Sequence, residues 1–206
     1  MKKLLFVCLL VFGLSSSVNA ILIDRGGGLI YDDFLDITWL QDTNYSRTSG
    51  FDGDGRMTWL EAMAWVNDLT YAGIDGWRLP SALNMDGTGP CGPLPNNCTE
   101  SEMGHLYYVD LENVSPPAPN AGLQNTGMFF NMEPFVYWTN TPHPFIPDTG
   151  WYFHFNNGEQ AYSGSTYFIA WAVHDGDVAP IPEPATILLV GVGLAGIAGI
   201  RRKLKS

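Results

Sequence analysis

Apolar residues recur along this chain in three rhythms, and each predicts a different element. Long unbroken apolar runs stand at the two ends, Leu4 to Leu14 and Ala185 to Ile200. Between them the pattern is finer. Gly26-Gly27-Gly28 opens a strand, Leu29-Ile30-Tyr31. Asp32-Asp33 turns, and Ile37-Thr38-Trp39-Leu40 reads as the hairpin partner. Thr58 begins a helix in which Trp59, Ala62, Met63, Val66 and Leu69 recur at helical spacing, and Gly73 ends it. Gly76-Trp77-Arg78-Leu79-Pro80 is extended, and residues 84 to 98, rich in Gly, Pro and Asn, form a loop. Thr99-x-x-Glu102 reads as a capping box for a shorter helix through Met103, Leu106 and Tyr107. A Pro-rich loop occupies 115 to 127. Val136-Tyr137-Trp138-Thr139 is a strand; Trp151, Phe153 and Phe155 alternate with Tyr152, His154 and Asn156 in another, closed by Asn157-Gly158. Ile169, Trp171 and Val173 alternate in the last. The expectation is an α+β fold, two helices near the front and antiparallel strands behind.

The two ends read as addresses. Lys2 and Lys3 precede the first apolar run, and Val18-Asn19-Ala20 has the small-residue pattern of a cleavage site. Residues 1–20 are therefore expected to be a secretory signal peptide, used by the Sec route. At the other end, Ala185 to Ile200 is 16 residues without a charge. As a helix it would measure about 24 Å against a hydrocarbon core of roughly 30 Å. The basic cluster Arg201, Arg202, Lys203 can complete such a span and should stay in the cytoplasm, leaving everything upstream outside. Gly191-Val-Gly193-Leu-Ala-Gly196 spells a dinucleotide-binding signature, but too little chain follows for a βαβ unit. A plain membrane anchor would show the same hydropathy. Pro182-Glu183-Pro184 ahead of the run separates the two readings. Residues 179–206 resemble the PEP-CTERM sorting signal. The resemblance implies recognition by an exosortase in a Gram-negative bacterium, transient insertion in the inner membrane, removal of the tail, and a mature protein at the cell surface or in the extracellular matrix.

Residues 21–178 are left as one domain. They hold 20 Asp and Glu against four Arg (Arg25, Arg47, Arg56, Arg78) and no Lys, a net charge of −16. That field repels phosphate backbones, so nucleic acid is not an expected partner. It suits cations, calcium above all. All seven Trp lie here. Most are expected in the core, and any left outside would offer flat faces to sugar rings. Cys91 and Cys98, the pair left after export, are expected to form a disulfide that stiffens one loop.

A series of short segments runs through the body in order: Asp24-Arg25-Gly26-Gly27-Gly28-Leu29-Ile30-Tyr31-Asp32, Trp39-Leu40-Gln41-Asp42, Gly76 to Pro80, Tyr137-Trp138-Thr139-Asn140-Thr141, and Ala170-Trp171-Ala172-Val173. This series resembles the Lcl C-terminal-type domain of bacterial surface proteins. The resemblance implies a C-type-lectin-like fold and, in some members, adhesion and glycan contact. The family usually carries an Arg-Pro pair after the last strand, whereas His174-Asp175-Gly176-Asp177 stands here. The paired cysteines of sulfatase-modifying relatives of that fold are absent from the corresponding strands, so that activity is not implied.

One segment combines several ligand types. In Asp52-Gly53-Asp54-Gly55-Arg56-Met57-Thr58-Trp59-Leu60-Glu61, the residues Asp52, Asp54, Gly55 and Glu61 fall at positions 3, 5, 6 and 12 of an EF-hand loop. The Arg56 carbonyl would serve position 7, while Gly50 stands where the first Asp belongs. Asp42 and Asn44 are candidate replacements. The competing reading is that Thr58-x-x-Glu61 is a capping box and needs no metal. The four His are scattered without zinc-site spacing. His105 and His154 are expected on the surface, and Arg78 in a structural carboxylate pair rather than a ligand clamp. The expected function is a non-catalytic module that contacts extracellular polysaccharide, with calcium as candidate cofactor. The alternatives are a structural matrix protein without a specific ligand and an enzyme acting on polysaccharide.

Overall fold

The computed structural model describes residues 21–92 and 97–180. Residues 1–20, expected to be a signal peptide, and residues 181–206 of the sorting tail, including Pro182-Glu183-Pro184, lie outside the described residues. Among the described residues no helix is long and apolar enough to cross a membrane.

The chain opens with β1 (Leu22–Gly26), which pairs antiparallel with β2 (Leu29–Asp32) across the glycine triplet. The triplet is thus a turn, not the start of a strand. All three glycines have positive φ, a region costly for other residues. β3 (Ile37–Leu40) pairs antiparallel with β2 as the hairpin reading expects. β9 (Val173–Asp175) pairs with β3, so the first sheet has the order β1-β2-β3-β9 and joins the two ends of the body.

The second sheet has the order β4-β8-β5-β6-β7, built from β4 (Arg56–Met57), β5 (Val136–Pro142), β6 (Gly150–His154), β7 (Glu159–Ser163) and β8 (Phe168–Ile169). Its pairings are antiparallel except one: Tyr137 and Ile169 pair β5 with β8 in parallel. The single last strand expected from Ile169 to Val173 is divided. Ile169 belongs to the second sheet and Val173 to the first, and Trp171 stands at the crossing between them. Its indole N–H donates to the Leu40 carbonyl at 2.7 Å, and its ring packs on Trp39 and Phe129. Complete burial from Ile169 to Val173 explains why alternation alone could not reveal the break. All seven Trp are buried, so no indole face is open to a sugar.

Among the described residues three α-helices decorate the sheets. α1 (Tyr45–Thr48) is a single turn. α2 (Trp59–Asn67) buries Trp59, Ala62, Trp65 and Val66. It stops at Asn67, short of Gly73, because the chain turns back between Tyr71 and Ile74, with Ala72 and Gly73 both at positive φ. α3 (Glu102–His105) runs into a π-helical turn, Leu106–Asp110. Its cap is Ser101, whose hydroxyl accepts from the Gly104 amide, and not Thr99. The expected Glu102 partner is diverted: both its oxygens receive the Arg78 guanidinium, at 2.7 and 2.9 Å. Arg78 also donates to Asp175 at 2.8 Å, which ties the helix to the last strand. Cys91 and Cys98 are joined in a disulfide at the base of the 84–98 loop.

Candidate functional site

The Asp52–Glu61 segment folds as a brace. Asp52 Oδ1 accepts from the amides of Asp54 and Gly55 at 3.0 and 2.7 Å, and Asp54 Oδ1 accepts from the Arg56 amide at 3.1 Å. Although partial burial opposes it, these amide donors hold the Asp52 carboxyl below its usual range. Gly55, at φ +75°, packs directly against the Asn44 side chain, where any Cβ would collide. The loop therefore does turn back toward Asn44. Asp42 faces elsewhere, accepting from the Asn44 amide and from Asn131.

Glu61 faces the helix start. Its Oε2 accepts from the Thr58 amide at 2.9 Å and the Thr58 hydroxyl at 2.7 Å, while its own amide donates back to that hydroxyl. This is a complete capping box, and the Thr58 donors hold the Glu61 carboxyl below its usual range. Among the described residues no group of three or more His, Cys, Asp or Glu is placed to hold a metal ion. Thr58→Ala is expected to cost about 1 kcal/mol of stability. A urea titration should show the same loss with calcium and with chelator. Rescue by calcium alone would make Glu61 a ligand instead of a cap.

The same segment also borders a cleft of about 360 Å³ beside α2. Phe51 and Tyr167 stand on its rims, 62% and 61% exposed, and the edge of buried Trp65 forms part of its wall. Asp52, Glu61 and Asp68 add carboxylates, and Arg56 a single cation. Arg56 lies over the Phe135 ring at 4.1 Å and meets Glu133 at 3.4 Å, so its charge is largely answered already. Tyr167 also lines a second cleft of about 360 Å³, together with Leu60, Thr166 and Asp148 among others. Single exposed apolar side chains are ordinary on a protein surface, but two aromatic rings lining one cleft place apolar area beside hydrogen-bonding side chains. Sequence reasoning reached Asp52, Arg56 and Glu61, on a metal argument, but missed Phe51 and Tyr167. Nothing in the pattern around Phe168 and Ile169 says that their neighbour stays outside.

A larger cleft, about 450 Å³, lies between Phe34, Leu83, Met85, Glu100 and Glu102. Glu102 is committed to Arg78 and to the Ser81 amide, at 2.7 Å from the latter. Behind it, His105 is buried, not on the surface as expected, with its ring stacked flat on Phe34 at 4.3 Å. Its Nε2 lies 3.9 Å from Asp110 Oδ1, too far for a hydrogen bond. Burial, with the charges of Asp32 and Asp33, pushes the Asp110 carboxyl up to about 7. Neither His105 nor Asp110 lines the cleft. His154 is half-buried, its Nδ1 accepting from the Asn156 amide.

Comparison with known proteins finds two family matches in the chain. The PEP-CTERM protein-sorting motif matches residues 180–203, which contain Pro182, Glu183, Pro184, Arg201, Arg202 and Lys203. That motif marks an exported protein processed by an exosortase. No curated protein and no solved structure matches the chain. The model of the Lcl C-terminal domain matches residues 28–174, most of the body from β2 into β9 with both clefts beside Tyr167, and the chain belongs to that family.

Proposed function

We propose that this exosortase-sorted protein is a non-catalytic module that holds extracellular polysaccharide, and that the face around Tyr167 makes the contact. The observation that carries the reading is the pairing of Phe51 and Tyr167, exposed across an acidic cleft, in a body that buries every Trp. Pyranose rings present apolar C–H faces to aromatic rings and hydroxyls to carboxylates, and this face offers both. The C-type-lectin-like architecture implied by the family resemblance belongs to the same reading. Its support is the sheet that joins the ends of the body and leaves long loops between. Calcium enters as a candidate occupant of the Asp52 loop; Glu61 would then have to leave Thr58 to join it.

The test is binding of residues 21–178, whose core is built from its own side chains, to the producing cell's exopolysaccharide, with calcium and with chelator. Saturable binding that falls at least tenfold in Tyr167→Ala, about the loss of one good stacking contact, supports the proposal. Unchanged binding in Tyr167→Ala and Phe51→Ala places the contact elsewhere. No binding leaves a structural matrix role in front. That second reading is favoured by one observation: Phe145, on the loop between β5 and β6, is 88% exposed beside Ile146 and offers an apolar contact remote from carbohydrate chemistry.

A further inference from the structure

We infer that the polymer held at Tyr167 carries free amino groups and is bound along its length, not at its end. This deepens the glycan reading and rests on it.

Two independent observations support the inference. The first is the shape. Each cleft, at about 360 Å³, sits near the lower limit of small-ligand sites, room for a short piece of a sugar chain. The two share Tyr167 as a common wall. A chain that fills both must pass over the Tyr167 ring, so it extends beyond both sides of the point of stacking.

The second is the charge. Asp52, Glu61 and Asp68 border one cleft and Asp148 the other. The only cation among those linings, Arg56, is held by Glu133 and Phe135. The surrounding body has 20 acidic residues against four Arg. A uronate or sulfated polymer would approach this face against a repulsive field on both sides of Tyr167. Protonated amines on the sugar would instead meet carboxylates in each cleft, while the ring faces of the same sugars cover Tyr167 and Phe51. Two or three such half-exposed pairs, each worth a few-fold, amount to about tenfold in affinity.

The experiment titrates the protein with glucosamine oligomers of matched length, one set free-amine and one fully N-acetylated, and with a uronate oligomer, at low and moderate salt. The expected result is binding of the free-amine hexamer about tenfold tighter than the acetylated one, weakening with salt, and no measurable uronate binding. Shortening the free-amine chain to a dimer, which can occupy one side of Tyr167 only, is expected to lose most of the affinity. Because an acidic protein attracts any polycation, polylysine serves as control, together with Tyr167→Ala and the pair Asp68→Asn with Asp148→Asn. Loss of amine preference in the Asn pair, with folding unchanged by circular dichroism, supports the inference. Equal binding of amine and acetylated chains, preference for uronate, or amine binding indifferent to Tyr167 overturns it. The first of these outcomes, with Tyr167 still required, leaves the glycan reading standing; failure of every oligomer and of the native polymer removes both.

Discussion

Arg78→Ala is expected to destabilise the protein by about 3–5 kcal/mol, the range for removing one partner of a buried ion pair. The guanidinium is one of the few positive charges in the body, and three-quarters of it is hidden. It makes two parallel hydrogen bonds to Glu102 and a third to Asp175. Burial alone would lower its pKa, but Glu102 and Asp175 outweigh burial and raise it, so it stays charged under all ordinary conditions. Its backbone pairs with Val173 in both directions, so the side chain sits where the extended 76–80 segment, α3 and the last strand converge. Removing it leaves the Glu102 carboxylate, 16% exposed, with only the Ser81 amide. A lysine keeps the charge but cannot reproduce the fork, so Arg78→Lys should recover only part of the loss. Urea denaturation followed by tryptophan fluorescence measures both. A loss under about 1 kcal/mol for the alanine variant would show that this is an ordinary surface pair.

The same kind of pairing holds the end of the last strand. Asp175 and Asp177 stand there, and each is paired with an arginine from elsewhere in the chain, Arg78 and Arg25 respectively. The acidic segment closes the fold by charge, and its partners lie 97 and 152 residues away in sequence. Such pairings leave no local trace, which is why the reading of Arg78 reached a structural pair without naming its members.

The elements legible in the sequence are those whose signal is local. The hairpin from Leu29 to Leu40 announces itself by turn chemistry, and the start of α2 by Thr58 and Glu61 three residues apart. The missed elements are decided at a distance. β1 is a half-buried edge strand whose sequence, Leu-Ile-Asp-Arg-Gly, shows no alternation. β7 hides because its second residue, Gln160, is fully buried, donating to the Ala82 carbonyl at 3.1 Å, so a polar residue occupies a core position. The candidate site follows the same rule. Asp52 and Glu61 stood out because carboxylates are conspicuous, and the structure assigns them to loop bracing and capping. Tyr167, which lines both clefts, is one aromatic among several just ahead of the core stretch from Ile169 to Val173.

Asp110→Asn is expected to stabilise the protein at pH 8, on the order of 2–4 kcal/mol, and to do little at pH 4. In an α-helix, at 3.6 residues per turn, residue 110 would be turned well away from residue 105. Here the π-helical turn, closed by the Leu111 amide on the Leu106 carbonyl, swings Asp110 beneath His105. The carboxyl is 1% exposed, and neither of its oxygens nor His105 Nε2 has a hydrogen-bond partner. Asp32 and Asp33 face it from the first hairpin, and Asp32 and Glu100 face His105. The sign follows from the two states of the chain. Unfolded, Asp110 ionises near pH 4; folded, burial and the neighbouring carboxylates delay ionisation to about 7. Its contribution is therefore full below pH 4 and is lost as pH rises toward 7. His105, lowered by burial against the pull of Asp32 and Glu100, acts in the opposite sense: its contribution is full above its ordinary range and lost as pH falls through its folded value. Asparagine has the shape of the carboxyl, carries no charge at any pH, and brings an N–H that can donate to His105. Subtracting wild-type from variant melting temperatures from pH 4 to 8 isolates the Asp110 contribution, since His105, Asp32 and Glu100 are common to both. A difference that grows with pH and levels off above 7 confirms a buried carboxyl forced to ionise. A variant destabilised at pH 8, and less so at pH 4, would mean that Asp110 is held by a partner and stabilises the fold as an anion.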